Sequence, residues 1–228
     1  MTHARPIVIG RLARHWRAAM LAAIVLTAPA HANDADDVRS VFDRYRQAAL
    51  AHDGATAAGL VTPGSLDYYQ RLRDLALRAP RTEVEMLPMA DRLLVFRLRH
   101  EFTAAELQPL TGADLVRTSI EEAWSGPKAL LPITITTVEV GADTAIATPT
   151  RAGEPVPIRL LFRPSESGWQ LDLVELARGS DKALEEALRF RANRAKVDID
   201  TTTWWAIEDT SGHLVDKDLW MPLVNKAS

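Results

Sequence analysis

The carboxylate best placed to do chemistry is Asp172, in the run Gly168-Trp169-Gln170-Leu171-Asp172-Leu173. Strand alternation puts Trp169, Leu171 and Leu173 on one face and Gln170, Asp172 and Val174 on the other. If that second face lines a hollow, Asp172 is a carboxylate in partly apolar surroundings, the setting of a general base. The competing reading makes it a surface acid, or the ion-pair partner of Arg159 on the neighbouring strand. Tyr45 and Tyr69 can offer hydroxyls to a ligand, although their spacing also suits core residues with a polar tip. His100 stands among leucines and arginines and His52 closes a helical face. Both read as packing or capping histidines, because no nucleophile or carboxylate accompanies them at a recognised spacing. The candidate pocket residues are therefore Tyr45, Tyr69, His100, Arg159 and Asp172, with Asp172 the single catalytic candidate.

Other chemistries lack their residues. No cysteine occurs, which removes disulfides, thiolate metal sites, a cysteine nucleophile and a lipoprotein anchor. Beyond residue 32 the histidines are His52, His100 and His213 alone, too scattered for a dedicated transition-metal site. Ser119, Ser125 and Ser165 lie in no Gly-x-Ser-x-Gly elbow, and there is no glycine-rich phosphate loop. The sequence calls for no cofactor and no metal.

The residues must be positioned by a chain that first has to be exported. Residues 1–32 combine a basic start (Arg5, Arg11, Arg14, Arg17), an apolar run from Ala18 to Ala28, and the small-x-small pattern Ala30-His31-Ala32. This order predicts a cleaved signal peptide, export to the periplasm, and a mature chain starting at Asn33. The apolar run is about half the roughly 20 residues a membrane-spanning helix needs, so no stable anchor is expected after cleavage. The leader holds four of the 27 basic residues and none of the 30 acidic ones, leaving 23 basic against 30 acidic groups, a net charge of −7. That balance disfavours nucleic acid as a partner.

Apolar spacing predicts a helix over 36–52, with Val38, Val41, Phe42, Tyr45, Ala48 and Ala49 on one stripe. A short helix near 56–60 follows, then a third capped by Ser65 with Leu66, Tyr69, Leu72 and Leu75 or Ala76 inward. Residues 82–124 read as helices broken at Pro88, Pro109 and Gly112, one of them opened by Thr103-Ala104-Ala105-Glu106 as a capping box. Within this stretch, Arg92 to His100 suits a buried helix with snorkelling arginines better than a membrane-surface helix. Character changes at Gly126-Pro127, after which strands are predicted over 133–140, 144–150, 156–163 and 169–176. Their short turns imply an antiparallel meander. A helix after Gly179-Ser180 and a tail carrying Trp204, Trp205 and Trp220 complete the chain. The tail tryptophans either pack it down or form a binding anchor.

Two patches carry a family resemblance: Val41-Phe42-x-x-Tyr45-x-x-Ala48 with Asp53-Gly54 and Leu60-Val61-Thr62-Pro63, and Ile158-Arg159-Leu160-Leu161-Phe162 through Trp169-Gln170-Leu171-Asp172. With helices before a curved antiparallel meander, the chain resembles the nuclear transport factor two-like superfamily, which includes the SnoaL and ketosteroid isomerase groups. The resemblance implies a cone-like α+β domain over residues 33–180 with an apolar pocket. A helical insertion at 82–124 and a C-terminal helical appendage at 181–228 depart from its pattern. It transfers no catalytic residue, since the strands that would carry one lie where the chain departs from the family, and fold alone assigns no reaction. The leading functional expectation is an exported non-catalytic binder of a small apolar molecule or a protein partner, with a homodimer compatible. The alternatives are a cofactor-independent lyase or isomerase using Asp172, and an interaction or inhibitor protein acting through the tryptophan-bearing tail.

Overall fold

The computed structural model describes residues 30–124, 132–215 and 218–226. The leader up to residue 29 and the Gly126-Pro127 break lie outside the described residues. Helix α1 (Ala30–Leu50) buries Val38, Val41, Phe42, Tyr45, Ala48 and Ala49 along one stripe, as the 3.6-residue period requires. It stops before His52, which takes a left-handed φ of 56°. Asp53 then caps α2 (Gly54–Gly59) by accepting from the Thr56 amide. The cap of α3 (Pro63–Arg78) is Thr62 and not Ser65: Pro63 occupies the first turn, where a missing N–H costs nothing, and Thr62 accepts from the Ser65 amide. Ser65 instead does long-range work, its buried hydroxyl accepting from the Leu173 amide at 2.9 Å.

Four helices follow: α4 (Arg81–Glu85), α5 (Met89–Glu101), α6 (Ala104–Leu107) and α7 (Gly112–Glu121). Pro88 stands at the N-cap of α5, while reciprocal capping boxes, Thr103 with Glu106 and Thr111 with Asp114, open α6 and α7. Pro88 has no side chain to accept a hydrogen bond, so Asp181 reaches in from a distant helix and accepts from the Ala90 amide at 2.8 Å.

The sheet consists of β1 (Ile133–Val140), β2 (Ala145–Arg151), β4 (Leu160–Ser165) and β5 (Gly168–Asp172) in that order, all antiparallel, with the two-residue β3 (Glu154–Pro155) pairing β2. The fold is thus mixed α+β, an open antiparallel sheet with helices before and after it. In β1, Ile133 and Ile135 have one parity and Val138 and Val140 the other. A bulge between Ile135 and Thr137 shifts the phase so that all four pack on the same core. The free edge of β5 is closed by Leu60–Thr62, whose backbone pairs with Leu171 in parallel.

Two elements differ from the sequence reading. The strand predicted over 156–163 begins only at Leu160, because Pro157 has no amide to give a ladder and the Ile158 amide turns back to the Val156 carbonyl. The strand predicted over 169–176 ends at Asp172, and helix α8 (Leu173–Ala195) starts at once and runs through Gly179-Ser180. Leu173 and Leu176, three residues apart, share a face in a helix and not in a strand. The choice goes to helix because Asp172 caps it, and because α8 packs on α5 and on α9 (Ile199–Ser211).

Two apolar cores result. In the first, α1 and α2 pack with Val116 and Ile120 of α7 against the inward side chains Ala145, Ala147, Leu160, Phe162, Trp169 and Leu171 of the sheet. In the second, Leu72, Phe96, Leu98, Leu107 and Leu115 enclose Ile207, Leu219, Trp220 and Leu223. The segment 82–124 and the C-terminal tail therefore bury each other's apolar surface. Trp220 stacks edge-on against Phe96 with centroids 4.8 Å apart, so this tryptophan packs and does not project. Gly112 sets the approach of α7 to α3, since a Cβ there would collide with the Leu66 carbonyl, and its amide donates to Gln70 Oε1 at 2.8 Å. Gly112→Ala is expected to lose about 2–3 kcal/mol in urea unfolding. A loss below about 0.5 kcal/mol would show that the helices separate freely.

Candidate functional site

Asp172 is 5 % exposed, and its carboxylate is already committed. Oδ1 accepts from the Val174 and Glu175 amides at 3.0 and 3.3 Å, and Oδ2 from Arg163 Nε at 2.9 Å. It is the N-cap of α8 and the counter-ion of Arg163; Arg159, the partner suggested by strand neighbourhood, does not reach it. The strand start explains the exchange: Arg159 and Arg163 are both two residues from Leu161, but only Arg163 lies within β4. Asp172 pairs across the ladder with Leu161, and Arg163 lies on the same sheet face two residues along from Leu161. A base needs a free lone pair aimed at open space, and this carboxylate is held by a helix terminus and an arginine.

The remaining candidates are not brought together. Tyr45 is buried in the first core, and burial, reinforced by neighbouring Tyr69, raises its phenol above the ordinary tyrosine value. Tyr69 bridges the two cores. Burial raises it as well, partly offset by a hydrogen bond to Ser119. Both hydroxyls therefore stay protonated at neutral pH. His100 is buried, its Nε2 3.2 Å from Ser211 Oγ, where it ties α5 to the end of α9. Its neighbour Arg97 is likewise buried and reaches the Ile207 carbonyl and Thr210 Oγ1 of α9. Burial lowers its guanidinium, with Glu101 and Glu122 opposing. Among the described residues no group of three or more His, Asp or Glu side chains is placed to hold a metal ion, and no helix is long and apolar enough to cross a membrane.

Arg159, of these five, stands at a recess. The sheet face turned away from α1 carries Ile146 of β2 and Leu161 of β4, paired across the ladder. Together with Val156 and Ile158 of the preceding loop they floor a groove of about 770 Å³, bounded by the first turns of α8. All four apolar side chains are half-buried, whereas Arg159 and Arg178 at the rim are exposed. Arg178 Nη1 lies 2.6 Å from Glu175 Oε1. Arg159 makes no hydrogen bond or ion pair with any described residue.

The groove was open to sequence reasoning through one signal. Ala145-Ile146-Ala147 and Leu160-Leu161-Phe162 are apolar on both parities, which means that neither face of the middle strands is designed purely for water. Alternation alone identified only the inward set. Comparison with protein-family models, with curated proteins and with solved structures finds no match.

Proposed function

We propose that this protein is an exported, non-catalytic binding module that holds a small, largely apolar molecule in the groove between the outer sheet face and α8. The observation that carries this reading is the apolar floor of Ile146, Leu161, Val156 and Ile158 in a recess of about 770 Å³. That size falls in the range of small-ligand sites, roughly 300–1,000 Å³. Part of the groove is built on regular elements, the β2–β4 pair and α8, which keep that part preorganised, while Val156, Ile158 and Arg159 come from the loop before β4. Catalysis by Asp172 is not part of the proposal, because its oxygens are occupied by Arg163 and the α8 amides. A scaffold resembling the nuclear transport factor two-like fold belongs to the same reading, supported by α1 packed on a four-stranded antiparallel meander.

The test is titration with the polarity-sensitive dye Nile red. Ile146→Glu places a charge on the groove floor without touching either core, and is expected to weaken dye binding at least about tenfold, the cost of roughly 1.4 kcal/mol, at an unchanged melting temperature. Equal binding by the variant would remove the groove from consideration. Export is checked separately: mass spectrometry of the protein from its native host should find Asn33 at the N-terminus. Intact Met1 protein recovered in the membrane fraction would refute cleavage.

A further inference from the structure

We infer that the groove selects amphipathic anions, with Arg159 as the counter-ion of an acidic head group and the Ile146–Leu161 floor holding an aliphatic body. This deepens the binding reading above and rests on it. The charges lining the groove are two arginines and one glutamate, Arg159, Arg178 and Glu175, a local excess of one positive charge. Glu175 neutralises Arg178 at 2.6 Å, so the excess sits on Arg159, which has no partner among the described residues.

A contrast within the same molecule sharpens the point. Arg44 also lacks an ion pair among the described residues and also lines a recess, between α1 and α2, but there Asp36 and Asp43 are held by Arg39 and Arg46 and the remaining acid, Asp53, offsets the Arg44 charge, so no positive excess is left. Beside Arg159 the one acid lining the groove, Glu175, is already paired, and the floor is aliphatic apart from Thr148. A planar guanidinium at the margin of an apolar surface can grip a carboxylate with two parallel hydrogen bonds while the ligand's tail covers the side chains beneath it. A neutral apolar molecule would use the floor and leave the arginine idle.

The head group is one anionic oxygen acid, whether on a free amphiphile or on a phospholipid in a bilayer. The free molecule is the occupant proposed, because residues 33–228 carry a net charge of −7, from 23 basic and 30 acidic groups, and an anionic membrane surface would repel them.

The experiment is isothermal titration of the full chain with decanoate and with decanol, each below its aggregation concentration, in low salt. Decanoate is expected to bind about tenfold or more tightly than decanol, one charge-assisted contact being worth that ratio. Arg159→Gln should abolish the difference while leaving decanol affinity unchanged, and added salt should narrow the difference in the native protein. Equal binding of the two ligands to the native protein, or a decanoate preference surviving in Arg159→Gln, would overturn the head-group assignment and leave the groove reading standing. Failure of both ligands to bind would overturn the groove reading and this inference with it. Sedimentation with phosphatidylglycerol vesicles, lost in Arg159→Gln, would reassign Arg159 to a membrane surface and overturn the free-amphiphile proposal.

Discussion

Arg99→Met is expected to lose about 4–6 kcal/mol of stability, enough to leave a domain of ordinary stability near its unfolding threshold. Arg99 is fully buried, and its five N–H groups are matched by five backbone carbonyls. Nε and Nη2 donate to Leu75, Ala76 and Ala79 at the end of α3, while Nη1 donates to Leu219 and Trp220 of the tail. Helix termini leave carbonyls without intrahelical partners, and here one guanidinium satisfies them and complements the negative end of the helix dipole. Burial lowers the Arg99 guanidinium to about 10, with Asp218 opposing, so it remains charged at neutral pH. Methionine fills the stem volume but leaves the Ala76, Ala79, Leu219 and Trp220 carbonyls without this donor, Leu75 keeping the Ala79 amide, and each costs about 1–3 kcal/mol until water or rearrangement reaches it. Lysine has three donors and should recover part of the loss. Urea unfolding with both variants tests this. A loss below about 2 kcal/mol would mean that the tail peels away and hydrates its carbonyls without unfolding the rest.

The second large effect belongs to the other core. Phe42 is 3 % exposed on α1, where it packs in the cluster formed with the inward face of the sheet. Phe42→Ala should cost about 3–5 kcal/mol, from lost transfer energy and from a cavity that strands and helix can fill only in part. Phe190 on α8 is the internal control: at 69 % exposure its truncation should change stability by less than about 0.5 kcal/mol. Equal effects at the two positions would contradict the packing of α1 on the sheet.

These two residues mark the boundary between what is legible along the chain and what is not. Phe42 belongs to a pattern of Val38, Val41, Phe42, Tyr45, Ala48 and Ala49, and a 3.6-residue period is a local property that requires no knowledge of the partner surface. The antiparallel meander was legible for the same reason, since strands joined by turns as short as Gly141-Ala142-Asp143 cannot run parallel. Arg99, by contrast, sits in Arg97-Leu98-Arg99-His100, where the arginines suggest snorkelling ends. Its burial depends on carbonyls from residues 75–79 and 219–220, and no spacing within the segment predicts that they converge.

The candidate site divides in the same way. Asp172 could be placed on a sheet face by alternation, but alternation could not tell that the strand ends there, because capping by Asp172 and docking of α8 against α5 and α9 are tertiary gains that override the extended period. Arg159 was read as the neighbouring-strand partner of Asp172, yet Asp172 turns to Arg163 and Arg159, ahead of the strand start at Leu160, pairs with no described residue. By itself the sequence determined the helices before the sheet, the antiparallel order of the strands, the core stripe of α1 and a net acidic chain without cysteine, all of which follow from local periodicity and composition. Only the tertiary structure decided that Asp172 caps a helix, that Arg99 is buried while Arg159 stays exposed at a recess, and that the middle strands turn an apolar face to a groove. Those outcomes depend on contacts between residues far apart in the chain.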